Sequence, residues 1–246
     1  MDSTGGVLLL NRNHISECRA SKGSGGVMYL FDVSFESSYN FYVNNSAIDA
    51  AVIQALSKTN VSSDHDIYLQ NTADIQAGVA TISLTSGYHA LFSYCKFQSN
   101  AAGVGSVLII FTAEYVSVID SQFSNNSGTI SGAIVHTLSN LFIIRTKFYH
   151  NTVLLGSGAA ILSQSSESST TIEDVSIVLS KNFSLVVDAC EFSHNQVFST
   201  LGGGAVTLSN VDSVVLSNNV SQVDHLLRQN NQIYVLLIPV RRLGVL

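Results

Sequence analysis

The sequence predicts an all-β solenoid, a parallel β-helix of about six or seven coils, because similar units recur at a near-fixed period. Three observations carry this. Four copies of Phe-x-x-Asn punctuate the middle of the chain, at Phe97–Asn100, Phe123–Asn126, Phe148–Asn151 and Phe192–Asn195. The first three phenylalanines stand 26 and 25 residues apart, and the last gap is 44. Behind each copy comes a glycine-rich step and an apolar run: Gly103-Val-Gly-Ser-Val, Ser131-Gly-Ala-Ile-Val, Gly156-Ser-Gly-Ala-Ala-Ile and Gly202-Gly-Gly-Ala-Val. An antiparallel sandwich would explain regular strand spacing but not the same residue types returning in register.

Composition agrees. The chain has 246 residues, 46% of them apolar, enough for a continuous core. Only 11% are charged, well below the usual quarter, and Ser and Thr fill the gap. Val, Ile, Phe, Thr and Tyr favour strands. The net charge of −6 with no basic cluster gives no footprint for nucleic acid. No apolar stretch is long enough for a membrane-spanning helix. Neither end reads as a targeting segment, and the opening glycine step at Gly5-Gly6 points to a piece of a longer protein.

Taken in order, Gly5 to Gly23 reads as a degenerate first coil, and Gly25 to Asn44 as a second, closing on Phe41-Tyr-Val-Asn44. Residues 46–74 read as a lateral insertion, with alanine-rich Ala47–Leu56 spaced for a short helix. From Gly78 the coils are clear, ending at Asn100, Asn126, Asn151 and Asn195. A second insertion, 164–183, opens with the polar stretch 164–174 and explains the long final gap. A last coil runs from Gly202 to Asn219, with Leu216-Ser-Asn-Asn219 standing in for the motif. The repeat domain is thus 1–219, and 220–246 is a non-repeat tail or cap.

Within a coil the physics assigns roles. Phe97, Phe123, Phe148 and Phe192 form an aromatic ladder inside. Asn100, Asn126, Asn151 and Asn195 stand at a turn, where Asn tolerates left-handed φ and stacked amides can bond from rung to rung. Cys95 and Cys190 fall two before their Phe, in the column that Ser121 and Thr146 share, and Cys18 fits there if Ala20 replaces Phe. Rungs ~4.8 Å apart put Cys95 and Cys190 roughly 14 Å apart, beyond disulfide reach. All three are expected to be free thiols that fill space.

The paired signature of Gly-Gly-Ala-aliphatic steps and Phe-x-x-Asn resembles the repeats of polymorphic outer membrane proteins. Ser131-Gly-Ala-Ile134, Gly158-Ala-Ala-Ile161 and Gly203-Gly-Ala-Val206 carry its first half. The likeness covers 78–219 well and 1–45 loosely. It implies a right-handed, pectin-lyase-like helix and an extracellular or cell-surface setting.

Such helices include enzymes that cluster carboxylates with basic residues on one outer face. Asp120 and Arg145 share the outward column three before Phe, and Asp188 lies near it. These three are the candidates for a polysaccharide-cleaving site. Against it, Arg145 would hold Asp120 ionised, and alternation would turn Asp188 to the other face. The Asp-Asp and Gly-His-Gly motifs of galacturonase-like enzymes are absent. His150 and His194 share a column on neighbouring coils and are the candidate metal pair, with no third ligand beside them. His65 between Asp64 and Asp66 reads as an exposed loop. Sequons at Asn44, Asn60, Asn125, Asn182 and Asn219 permit glycosylation. The expectation is therefore a non-enzymatic surface scaffold without cofactor or metal, touching carbohydrate or a cell-surface protein. The alternative is a polysaccharide lyase or glycoside hydrolase.

Overall fold

The structure is a computed structural model that describes residues 6–103, 105–156, 158–164, 184–198, 205–209, 213–217, 219–222 and 233–235. Among them there is no helix. Parallel strands stack into a β-solenoid whose walls are three sheets of 15, 8 and 7 strands. The seven-stranded sheet takes one strand from each turn. The 15-stranded sheet has two wings, and Ser106–Ile119 runs through both without a break.

Alternation sets inside from outside: in Met28–Phe31 and Ser184–Asp188 every second side chain is buried. The core is one column-built cluster. In the eight-stranded sheet Tyr42, Tyr68, Phe97, Phe123, Phe148 and Phe192 align rung on rung. Their rings are near-parallel, with centroids 4.4–5.1 Å apart. A smaller apolar row, Ile109, Val135 and Leu162 with Ala77, packs on the other side of the first wing.

The asparagine ladder lies beside the rings, and its members are buried. The backbone N–H of each residue donates to the side-chain oxygen of the next, through Asn45, Asn71, Asn100, Asn126, Asn151 and Asn195, at 2.9–3.2 Å. Each amide nitrogen in turn donates to the carbonyl of the ring residue one rung back, as Asn126 does to Phe97. The left-handed residue is the one before each ladder Asn: Asn44, Gln70, Ser99, Asn125, His150 and His194. The expected role of the ladder Asn as the left-handed residue is thus corrected; inside the corner it is a bonding residue.

Further expectations change. Residues 46–74 are a regular coil, not an insertion, and Ala47–Leu56 is not helical: Ser46–Ala47 and Ile53–Ser57 are strands. Ala50, Ala51 and Val52 are buried small residues filling the bend between them, so packing overrides the helix propensity of alanine. Tyr68-x-x-Asn71 is that coil's motif with tyrosine in place of phenylalanine. The second coil closes on Tyr42 to Asn45, one residue later than Phe41 to Asn44. Cys18 donates its N–H to Asn45 and so stands in the asparagine column, with Ile15 in the ring column. Asn219 bonds the N–H of Cys190 and extends the cysteine column, not the asparagine one.

Glycine matters most where backbones touch. Gly158 adopts φ 75°, and a Cβ on Gly132 would overlap the carbonyl of Ala159. Of the expected second insertion, residues 165–183 lie outside the described residues. Beyond 219, Val220–Gln222 continues the eight-stranded sheet, and Ile233–Val235 pairs antiparallel with Val206–Ser209.

Candidate functional site

The corner between the 15- and 8-stranded sheets carries a second column of left-handed residues: Arg12, Tyr39, His65, Tyr94, Asp120, Arg145 and Ala189, with φ of 47–56°. A left-handed residue interrupts strand alternation, so its side chain leaves the wall and stands outside. The result is an exposed ladder repeating at the rung spacing. The Arg12 guanidinium lies 5.9 Å from the Tyr39 ring centroid. Tyr39 stacks on His65 and His65 on Tyr94, both at 4.7 Å. Tyr39 and Tyr94 are 48% and 52% exposed, a large apolar outlay for a surface. His65 also bonds Asp64, Nδ1 to Oδ2 at 2.8 Å. On the adjoining outer face of the eight-stranded sheet, Phe41 is 45% exposed and stacks with His14.

Further along, the ladder becomes ionic. Arg145 donates from Nε and Nη2 to the two oxygens of Asp120, each at 2.7 Å. That paired donation holds the Asp120 carboxyl below its usual range, with a further contribution from the Tyr94 hydroxyl. It also raises the guanidinium. A carboxylate held in this way is a poor proton donor. Asp188 does not turn to the other face, as alternation predicted. Ala189 occupies the left-handed position after it, so Asp188 remains on the outer side and accepts from Ser217 Oγ at 2.7 Å. Asp120, Arg145 and Asp188 therefore share one outer edge.

His150 and His194 stack at 5.0 Å in the other left-handed column. Two imidazoles fall short of the three protein ligands of an open zinc site, and no group of three or more His, Cys, Asp or Glu is disposed for a metal among the described residues. Beside them Lys147 pairs with Glu191 at 3.2 Å. Asp64 and His65 face outward, while Asp66 is buried, so these three do not converge. Cys18, Cys95 and Cys190 are all free, and burial pushes the Cys95 thiol up to about 12 and that of Cys190 to about 11. Asn44 and Asn125 are exposed at left-handed positions, and Asn182 lies outside the described residues.

The ring ladder escaped the sequence reading although the spacing was present. Tyr39-x-x-Tyr42, His65-x-x-Tyr68 and Tyr94-x-x-Phe97 repeat the three-before position that singled out Asp120 and Arg145. Phasing the second coil on Phe41 and treating the third as an insertion hid it. No family model, curated protein or solved structure matches this chain.

Proposed function

We propose that this chain is a non-enzymatic scaffold of the extracellular or cell-surface kind that contacts a glycan through the outer corner. The observation that carries the reading is the exposed ladder Arg12, Tyr39, His65 and Tyr94, held at one spacing by the coils beneath. Phenol, imidazole and guanidinium edges offer evenly spaced hydrogen-bond groups next to apolar ring area, a mixture suited to sugar hydroxyls and C–H faces. Resemblance to polymorphic outer membrane protein repeats and to pectin-lyase-like helices supports the surface setting.

The rival reading, a polysaccharide lyase or hydrolase, draws support from Asp120, Arg145 and Asp188 on one edge. The tight Asp120–Arg145 pair weighs against it. A glycan array run beside a depolymerisation screen separates the two. Binding that is lost in Y39A/Y94A, without chain cleavage, supports the scaffold. Cleavage that disappears in D120N/D188N replaces it with the enzyme.

A further inference from the structure

The residue after each of these left-handed positions turns inward and forms a ladder of its own, Asn13, Asn40, Asp66, Cys95, Ser121, Thr146 and Cys190, which Asn219 extends. From Asn40 onward its members, Asp66 apart, bring a side-chain hydrogen to a main-chain carbonyl one rung back, which Cys95, Ser121, Thr146 and Cys190 share with the carbonyl two residues before them on their own rung. Asn40 Nδ2 donates to Leu10 O at 3.0 Å, Cys95 Sγ to Ser63 O at 3.3 Å and Ser121 Oγ to Phe92 O at 3.5 Å. Thr146 donates to Val118 O, Cys190 to Ile143 O and Asn219 to Val187 O. Asp66 breaks the series. The carbonyl in its register is that of Ser37, since Leu10 pairs with Ser37 and Ser37 with Ser63. A carboxylate has no hydrogen to give it; a carboxylic acid has one.

The surroundings of Asp66 are unlike those of any neighbouring rung. Its oxygens accept from Asn40 N at 2.7 Å, Asn40 Nδ2 at 3.2 Å and Ser63 Oγ at 2.7 Å. Tyr68 OH meets Ser63 Oγ at 2.8 Å, Tyr42 OH meets Ser37 Oγ at 2.8 Å, and Asn40 Nδ2 reaches Ser37 Oγ at 2.9 Å. On the later coils the places of Ser37 and Ser63 are taken by Phe92, Val118, Ile143 and Val187, and the ladder rings are all phenylalanine. The two serines and two tyrosines thus occur on the rungs that hold or precede the one buried carboxyl among the described residues. Hydroxyls can turn to donate or accept, so the fold accommodates both protonation states.

We propose that Asp66 is a proton-operated rung: the acid completes the corner ladder, and the carboxylate loosens the coils that carry Asn40 and Asp66. Burial raises its pKa above the usual carboxyl value, opposed by bonds from Ser37, Asn40 and Ser63. The titratable groups facing it are Tyr42, Tyr68 and Cys95, all raised chiefly by burial and so neutral. Asp64, His65 and Lys96 lie on its own and the next coil but point outward. No ion pair to Asp66 occurs among the described residues. A raised folded-state pKa means that the folded chain binds this proton more tightly than the unfolded chain. The stabilisation is complete below the unfolded value of about 3.9 and is lost as pH rises through the folded value.

The test is amide hydrogen exchange on the whole chain from pH 4 to 8, corrected for intrinsic rates, with wild type and D66N. In the wild type, protection of 41–47 and 67–73 should fall with rising pH relative to 147–153. In D66N, whose asparagine matches Asn40, that difference should vanish, and exchange at pH 7.5 should be several-fold slower than in wild type. An unchanged pH dependence in D66N, or faster exchange than wild type at pH 7.5, overturns the proposal. Should D66N not fold, carboxyl-carbon NMR of the wild type decides: a midpoint above the free-aspartate value supports the proton-operated rung, and one at or below it defeats it. Y42F/Y68F removes the hydroxyl relay and should move that midpoint further up; an unmoved or lowered midpoint counts against the assignment.

Discussion

Phe148 has no exposed surface and lies between Phe123 and Phe192, so its removal leaves a hole between two stacked rings. Phe148→Ala should cost about 3–5 kcal/mol, measured by denaturant unfolding, as truncation of buried aromatics generally does. His136 tests the core differently. Its Nε2 donates to Ser139 O at 2.6 Å, and in the neutral ring that burial favours Nδ1 accepts from Ser163 Oγ at 2.9 Å. Burial lowers its pKa to about 4. The folded state therefore resists protonation. The stability that depends on the neutral ring is full above the usual histidine value near 6.5 and is lost as pH falls towards 4. Replacing His136 with Gln should flatten that acid-side loss in urea midpoints taken across the window; an unaltered slope would assign the loss elsewhere. The thiols offer a third reading, because Cys95 and Cys190 are buried and Cys18 is half-buried. Titration should find three reactive groups after unfolding and few before.

At the level of the strand and its corner, the asparagine ladder is a chain of mutual dependence. Asn126 accepts from the N–H and the amide of Asn100 and donates to Phe97, so Asn126→Ala strands buried groups on the coil before it. Roughly 1–3 kcal/mol is expected for each group left without a partner. The exchange protection of 97–102 should drop more than that of 147–153. How legible the elements were follows from the same interactions. Phe97, Phe123, Phe148 and Phe192 with their asparagines were readable, because a ladder demands the same residue type at every rung. Tyr68 and Asn71 were missed since tyrosine fills the same ring column, its hydroxyl held by Ser63 in a contact that no local pattern shows. Phe41 misled the phasing because an exposed ring next to a buried one, Tyr42, looks the same in sequence. The exposed ring ladder depended on that phasing and went unseen with it.

For the molecule as a whole, stacking turns a one-residue feature into a repeating surface. Each coil adds one side chain to the outer corner, so Arg12, Tyr39, His65 and Tyr94 form a row parallel to the axis, set by rungs ~4.8 Å apart. A glycan that engages this row along its length gains contacts with each added unit, and linked contacts multiply in affinity once the first is made. Under the proposed scaffold function, binding should strengthen with oligosaccharide length until the row is covered, and Y39A/Y94A should abolish that dependence. Asp120 and Asp188 lie beyond the rings, one locked to Arg145 and the other bonded to Ser217. Their joint replacement by Asn should leave the length dependence intact, with folding checked by circular dichroism. An enzyme would behave otherwise. Its two carboxyls must flank one glycosidic bond, about 5–9.5 Å apart for hydrolysis, with pKa values set apart so that one can donate a proton. Arg145 drives Asp120 the wrong way for the donor, leaving Asp188 to act as the acid. Chain cleavage by the wild type that D188N alone eliminates, with binding retained, would therefore be the result that makes this outer edge an active site.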